Sequence, residues 1–421
     1  MLVYKFGGAS IATPERLRAL MPILEAAPKP LVLVVSALGK TTNALEAIFR
    51  AACAGNRDEA RRLASDLEQA HREYVQGVLS AGAFDAAWQS LAEIFTELHW
   101  AVDDVESSRP DYHYDQIVCT GELLSTRIFS HYLKEAGFAH HWVDARDLIR
   151  TDATHRDARV DTEVTNSKMA AALTPLLHQG GVVLTQGFIG ATSDNASTTL
   201  GREGSDYTAA LLAAALNADS VTIWKDVDGL QNADPKLFPN TVKIEAITYA
   251  EVIEMAYYGA QVIHPKTIKP LQNSNIPLYV RCFLEPKAKG TAIEAEASSL
   301  FYPPLIILKE NQVLLQVTTR DFSFVTEENL SRLYSIFSDL KVKINLLQNA
   351  AISFVACIDR DAEKLEKLIA SLEADYKVLR NEGVKLLTVR HHTPEILFDL
   401  TKHRHVLLEQ KTRQTVQLVM K

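Results

Sequence analysis

Four segments of this chain combine residue types that can hold or move an anion. The first is Lys5-Phe6-Gly7-Gly8-Ala9-Ser10. Adjacent glycines let backbone approach a ligand and present N–H groups, and Lys5 adds positive charge beside them. A tight turn with a surface lysine would use the same residues. The second is Thr198-Thr199-Leu200-Gly201-Arg202-Glu203-Gly204-Ser205-Asp206, just before a helical run. Helix N-termini attract anions, Arg202 can grip a carboxylate with two parallel bonds, and Asp206 can orient an ammonium, a lysine or a metal-bound phosphate. Plain N-capping by Ser205 or Asp206 is the simpler alternative, but it requires neither the glycines nor Arg202. The third is Trp224-Lys225-Asp226-Val227-Asp228-Gly229, followed by Asn232-Ala233-Asp234-Pro235-Lys236. Its turn signals and its two lysines suit a nucleotide-holding loop or an ordinary loop equally. The fourth is Gly121-Glu122 at the start of a helical segment, where a carboxylate answers either the helix dipole or a ligand ammonium.

Other chemistries are excluded. Gly39-Lys40-Thr41 imitates the end of a P-loop, but position 34, where that motif needs glycine, is Val34. There is no HExxH, no nucleophile elbow and no His/Cys metal spacing, so no protein-bound metal is expected. His264, before Pro265, reads as structural. The four cysteines are far apart, which fits a reducing, cytoplasmic setting rather than a disulfide framework. Lys plus Arg total 44 against 52 for Asp plus Glu, a net charge of -8. Neither nucleic acid nor a membrane is expected as a partner.

The elements that must position these segments alternate. LVYKF, LVLVVSA, GVVLTQGF and SVTIWKDV are near-continuous apolar runs, as in strands buried on both faces of a parallel sheet. Helical segments over 14–26 and 206–216 lie among them. Residues 43–108 contain no strand-like run and form a helical excursion that either covers a substrate site or only packs. The class is α/β, a sandwich with ligands at the carboxyl ends of its strands. A boundary falls at FYPP (301–304). Beyond it, LLQVTT, a helix over 327–340, KINLLQNA, ISFVACI, a helix over 361–375 and YKVLR follow the ferredoxin-like β-α-β-β-α-β order. A shorter second round adds VKLLTV, a helix over 394–402 and a hairpin of HVLLEQKT with QTVQLVM. The 421 residues thus divide into about 1–300 and 301–421.

Taken in order, KFGGAS, VVSALGKTTNAL, TGELLSTRIFS, TQGFIGATSDNASTTLGREGSDYTAA, WKDVDGLQNADPK and GAQVIHPKT resemble the aspartate kinases of the amino acid kinase family. The resemblance implies a carbamate kinase-like αβα sandwich followed by two ACT regulatory modules. It implies transfer of the γ-phosphoryl of MgATP to the β-carboxylate of L-aspartate, the first step toward lysine, threonine and methionine. By position, Lys5 would hold the moving phosphoryl group, and Gly7 and Gly8 would give it N–H groups. Ser36, Thr42 and Ser205 would contact aspartate, Glu122 its ammonium and Arg202 its α-carboxylate. Asp206 would organise Lys5. Lys225, Asp226, Gln231 and Lys236 would line the ATP pocket, with Mg2+ carried on the nucleotide. Positive charge would then be concentrated at Lys5, Arg202, Lys225 and Lys236 despite the acidic total.

The chain departs from the family pattern at Ala9, Glu203, Lys225, Gln231 and Gln261. A carboxylate at 203, where glycine is usual, is unfavourable beside phosphate unless it points away or pairs with a cation. In the tail, Asn345, Gln348 and Asn349 fall where an end-product amino acid would bind, with lysine or threonine as the effector. Lysine-sensing relatives often carry aspartate at the position of Asn345. The second ACT module would lack its last helix, a homodimer or higher homo-oligomer is expected, and the length leaves no residues for a fused homoserine dehydrogenase. Another amino acid kinase, acting on glutamate or acetylglutamate, and a catalytically weak sensor with a kinase-like body are the rivals.

Overall fold

The computed structural model describes residues 1–178, 180–296, 302–321 and 323–421. Phe301, at the expected boundary, lies outside them. Two compact units emerge. One holds Met1–Leu230, Glu245–Ile253 and Val262–Ser298. The other holds Gln231–Ile244, Glu254–Gln261 and Ser299–Lys421.

The first unit is built on an eight-stranded sheet. Its order is Ala246–Thr248, Thr291–Glu294, Leu278–Cys282, Ser220–Lys225, Leu2–Phe6, Leu31–Val35, Val182–Gln186 and His141–Val143. Every neighbouring pair is parallel except Leu278–Cys282 with Thr291–Glu294. Leu31–Val35 and Val182–Gln186 are buried at every residue, as both-face coverage requires. Register fixes the site. Phe6 lies level with Val35 and with Trp224, and Val35 level with Gln186. The residues that follow these strand ends, Gly7, Ser36 and Gly187, therefore emerge together at one edge of the sheet.

The helical excursion forms helices Thr41–Cys53, Arg57–Val78 and Ala81–Asp103. Ala60, Ala64, Leu67, His71, Val75 and Val78 are buried at helical spacing and share a core with Leu31, Leu33 and Leu184. The expected single helix over 14–26 is instead two, Pro14–Arg18 and Met21–Ala26. Pro22 has no N–H and its ring would meet the preceding turn, so it suits only the start of a new helix.

The second unit contains a six-stranded antiparallel sheet. Its order is Ile344–Asn349, Ser353–Asp359, Leu305–Thr319, Tyr376–Arg390, Thr415–Met420 and Val406–Lys411. The sequence reading separates YKVLR from VKLLTV, whereas the structure joins them in one 15-residue strand, Tyr376–Arg390. Its partner Leu305–Thr319 is equally long, with a register shift between Lys309 and Gln312 where Asn311 takes φ 54°. One half of this long pair packs with Leu333, Phe337 and Leu368, the other with Val416 and Leu418. Two α+β rounds share two central strands, and the register slips at Asn311 between them.

Candidate active site

At the carboxyl edge of the parallel sheet lies a cavity of about 460 Å3. Lys5, Ser36, Thr42, Glu122, Arg202, Ser205 and Asp206 all line it. Segments up to two hundred residues apart in sequence thus meet where the sheet register puts their strand ends.

Lys5 is the fourth residue of strand Leu2–Phe6 and points its ammonium at Asp206, with Nζ 2.6 Å from Oδ1. Asp206 sits in the first turn of helix Gly204–Ala215 and is almost wholly buried. A charge pair this deep holds each partner in one place, because neither can leave the other uncompensated. Gly8 has no room for a side chain: a Cβ would lie 2.5 Å from the Ala37 carbonyl oxygen. The Gly39 N–H donates to the Gly8 carbonyl (3.1 Å) and the Ser36 N–H to that of Phe6 (3.1 Å), which lock the two loops together. Gly187 is held the same way, since a Cβ there would lie 2.4 Å from that of Ser205.

Glu122 lies in the first turn of helix Thr120–Glu135 and is buried. Its Oε1 accepts a long hydrogen bond from the Ala37 N–H (3.4 Å), and its Oε2 has no hydrogen-bond partner among the described residues. Burial pushes its pKa up to about 8; the Ala37 N–H and the Lys5 charge pull the other way and do not cancel it. A buried carboxyl with one oxygen unanswered is costly unless a cation arrives to meet it.

Glu203 shows how the chain tolerates a carboxylate here. It caps helix Gly204–Ala215 with left-handed backbone (φ 54°), the conformation that suits glycine. Its Oε2 accepts the His264 N–H at 2.7 Å, which turns the charge toward the start of helix Pro265–Asn273. His264 caps that helix through its ring, and burial holds its pKa below the usual histidine value. The structural reading of His264 thus gains a specific partner.

The remaining expected residues divide. Gly7 lies beside Lys5, where an added Cβ would be 3.6 Å from Nζ. Lys225 ends its strand and donates to the Val262 carbonyl at 3.0 Å, and Asp226 follows it, exposed. Gln231 and Lys236 fall in the second unit. None of these four is among the residues lining the cavity. In the second unit Asn345 is tied up, while Gln348 and Asn349 are exposed. Asn345 Oδ1 accepts from Lys309 Nζ (2.9 Å) and its Nδ2 donates to Gln312 Oε1 (2.8 Å).

The cavity also includes Glu46, Tyr114, Arg156 and Phe188, which the sequence reading missed. Glu46 was findable, because it stands one helical turn after Thr42 on the same face. Asp115 was missed as well. It is fully buried and accepts Thr199 Oγ1 (2.6 Å), His155 Nδ1 (2.9 Å) and the N–H groups of Arg156 and Thr199 (3.1 Å each). Nothing local in the sequence marks it, since its partners come from distant loops.

A lysine, an arginine and buried carboxylates at the carboxyl edge of a mostly parallel sheet define an α/β protein that holds a small charged ligand there. The chain matches the amino acid kinase family over residues 1–282. Lysine-sensitive aspartokinase 3 of Escherichia coli is 31% identical over 400 residues, covering 92% of this chain and 86% of that protein. Aspartokinase 1, chloroplastic, of Arabidopsis thaliana is 30% identical over 420 residues, covering 97% and 72%. The crystal structure of E. coli aspartokinase III with lysine and aspartate matches with a TM-score of 0.81 at 26% identity, covering 100% of this chain and 95% of that one. The complex of the same enzyme with aspartate and ADP gives 0.79 at 28%, covering 100% and 96%. The chain belongs to the amino acid kinase family, on the aspartokinase branch.

Among the described residues no helix is long and apolar enough to cross a membrane. All four cysteines are free.

Proposed function

We propose that this protein is an aspartate kinase, transferring the γ-phosphoryl of MgATP to the β-carboxylate of L-aspartate to give 4-phospho-L-aspartate and ADP. One observation carries the reading: Glu122, with an unanswered buried oxygen, shares a cavity with Arg202 and the Lys5–Asp206 pair. The first suits an ammonium, the second a carboxylate and the third a phosphoryl group. An amino acid bound by its ammonium and α-carboxylate has its side chain aimed at the phosphoryl site.

The residues divide the work as follows. Glu122 takes the ammonium of aspartate and gives up its proton in doing so. Arg202 grips the α-carboxylate, with Ser36, Thr42 and Ser205 as neutral contacts. Lys5 neutralises the charge that spreads over the transferring phosphoryl oxygens, and Asp206 keeps its ammonium aimed. Gly7 and Gly8 offer backbone N–H groups to phosphate, and the bare Gly8 also lets the Ala37 loop pack close. The acceptor carboxylate is already a nucleophile, so the reaction needs positioning rather than a general base. Asp206, the carboxylate beside Lys5, is committed to that lysine. This suits a nucleotide that brings Mg2+ on its own oxygens. Bound there, Mg2+ neutralises phosphate charge. Lys225 and Asp226 are assigned to the nucleotide side in this reading. The setting is cytoplasmic.

The second unit is read as a paired ACT sensor that binds lysine or threonine near Asn345, Gln348 and Asn349 and inhibits the kinase. It also joins copies of the chain into a homodimer or larger assembly.

ADP release measured with MgATP and a panel of amino acids tests the activity. Turnover with L-aspartate is expected; turnover with L-glutamate and none with L-aspartate overturns the reading. Inhibition by millimolar lysine or threonine tests the sensor, and no change in rate or melting temperature with either would remove it.

A further inference from the structure

Three residues other than glycine hold left-handed backbone around this one cavity. They are Arg156 (φ 69°), Phe188 (φ 71°) and Glu203 (φ 54°), out of nine such residues among those described. Strained backbone of this kind persists where the surroundings over-determine it, and it gathers at functional sites. Two of the three have a visible reason. The Phe188 N–H donates to Thr208 Oγ1 at 3.0 Å, and Glu203 caps the His264 N–H.

For Arg156 the anchor is Asp115, buried and hydrogen-bonded from four sides, which accepts the Arg156 N–H at 3.1 Å. The main chain at 156 is therefore fixed, and what it presents is a guanidinium. That group lies 4.1 Å from the Tyr114 ring centroid and 5.5 Å from that of Phe49. The Tyr114 hydroxyl donates to Glu46 at 2.8 Å, and Glu46 stands one turn after Thr42 on helix Thr41–Cys53. A continuous wall thus runs from Thr42, on the acceptor side, through Glu46 and Tyr114 to Arg156. A guanidinium stacked on aromatic rings keeps its N–H edge free to meet a carboxylate. Its resident partner is Asp111, 3.3 Å from Nη1, and both side chains are about half exposed (46% and 59%). Water screens such a pair, so a ligand carboxylate can replace it at little cost.

We propose that Arg156 is a second carboxylate-binding residue of the acceptor subsite, working with Arg202 to set affinity for a dicarboxylic amino acid. The proposal rests on the reading of this cavity as an amino acid acceptor site. An acceptor with two carboxylates and one ammonium carries net negative charge, and it must sit near phosphate. Lys5 is already paired with Asp206, so a cation beyond Arg202 is needed on the acceptor wall, and Arg156 supplies it.

The test uses the full chain with Arg156→Gly, Arg156→Gln and Arg156→Lys. Initial rates are measured with L-aspartate and MgATP each varied, and calorimetry gives L-aspartate binding without turnover. Glycine suits φ 69°, so Arg156→Gly should melt near the wild type; if it does not fold, Arg156→Gln carries the same comparison. The KM for L-aspartate should rise about tenfold in the Gly and Gln variants and less in the Lys variant, the size expected for one charge-assisted contact. The KM for MgATP should stay within twofold. Added KCl should raise the L-aspartate KM of the wild type more than that of Arg156→Gly. An L-aspartate KM within twofold of wild type in Arg156→Gly overturns the proposal, as does an equal rise in the MgATP KM. A wild-type chain that binds and turns over no L-aspartate overturns the kinase reading itself, a result distinct from either.

Discussion

Glu122 and Asn345 are both polar side chains held by regular structure, one in each unit, and their surroundings treat them oppositely. Glu122 is buried with one oxygen unanswered, in a cavity with room for a ligand. Asn345 is answered at both ends by its own chain. Lys309 Nζ reaches Asn345 and also Asp359 (3.0 Å), while Gln312 bridges Asn345 and Asp359 (2.8 and 2.9 Å). The first cluster stores an unmet demand, which a substrate ammonium can satisfy. The second is closed, with a lysine of the chain itself beside the strand assigned to an effector. An open polar cluster costs stability and offers binding; a closed one does the reverse.

The largest test of this contrast removes the charge pair of the open site. Lys5→Ala or Asp206→Ala should lower kcat at least ~10²-fold, the scale of a lost electrostatic stabiliser. Steady-state rates at saturating substrates check this, and near-normal turnover in either variant would refute the roles given to them.

Glu122→Gln should come next. Wild-type Glu122 holds its proton up to about pH 8 in the empty fold, whereas an ordinary glutamate loses it near 4.5. The folded state thus binds the extra proton, so this group's contribution is fully present below about pH 4.5 and is lost as pH rises toward 8. The Gln variant, free of that titration, should melt higher than wild type at pH 8.5, with the gap closing by pH 5. Its L-aspartate KM should rise by roughly tenfold or more. Titration of wild type with L-aspartate at pH 7 should release a proton, visible as a dependence of binding heat on buffer. Buffer-independent heat would mean that Glu122 does not meet the ammonium.

The closed cluster predicts a smaller effect. Lys309→Ala should cost about 1 kcal/mol, because Asp359 is partly exposed and its pair is screened. Burial alone would raise the Asp359 pKa, but hydrogen bonds from Gln312 and Lys309 hold it below the usual range. Its stabilising contribution is therefore present at neutral pH and is lost as pH falls through that lowered pKa. Denaturant melts at pH 7 and at pH 3 should show the difference between variant and wild type shrinking at the lower pH. A difference that persisted at pH 3 would point to lost packing instead.

The smallest effect concerns Glu203. Alanine there keeps the left-handed backbone and loses the bond to the His264 N–H, whereas glycine loses the bond but relieves the backbone. Glu203→Gly should be about 1 kcal/mol more stable than Glu203→Ala. Equal melting temperatures would show that the backbone at 203 carries no cost.

Much of this was legible in the chain. Near-continuous apolar runs announced a parallel sheet, because strands covered on both faces have no polar side. Lys5, Arg202, Asp206 and Glu122 were marked by charge beside glycine or a helix start, which are local signals. Arg156 and Asp115 carried none. Arg156 becomes part of the cavity only because its N–H is caught by Asp115, which in turn is held by the neighbouring His155 and by Thr199 from a remote strand. The joining of YKVLR and VKLLTV was hidden for a related reason. Strand length in a sheet is set by the partner, and Leu305–Thr319 offers 15 residues to pair with.

By itself, then, the sequence determined four adjacent strands of the parallel sheet, which turns are rich in glycine and which charges exist. These follow from side-chain type and short spacing, which act within a few residues. Tertiary structure alone decided which charges answer each other: Glu203 turned to His264, Lys5 paired with Asp206, Asn345 closed by Lys309, and Glu122 left open. Those outcomes depend on distance through space and on burial, and both are fixed only once the strand register has brought remote loops to one edge.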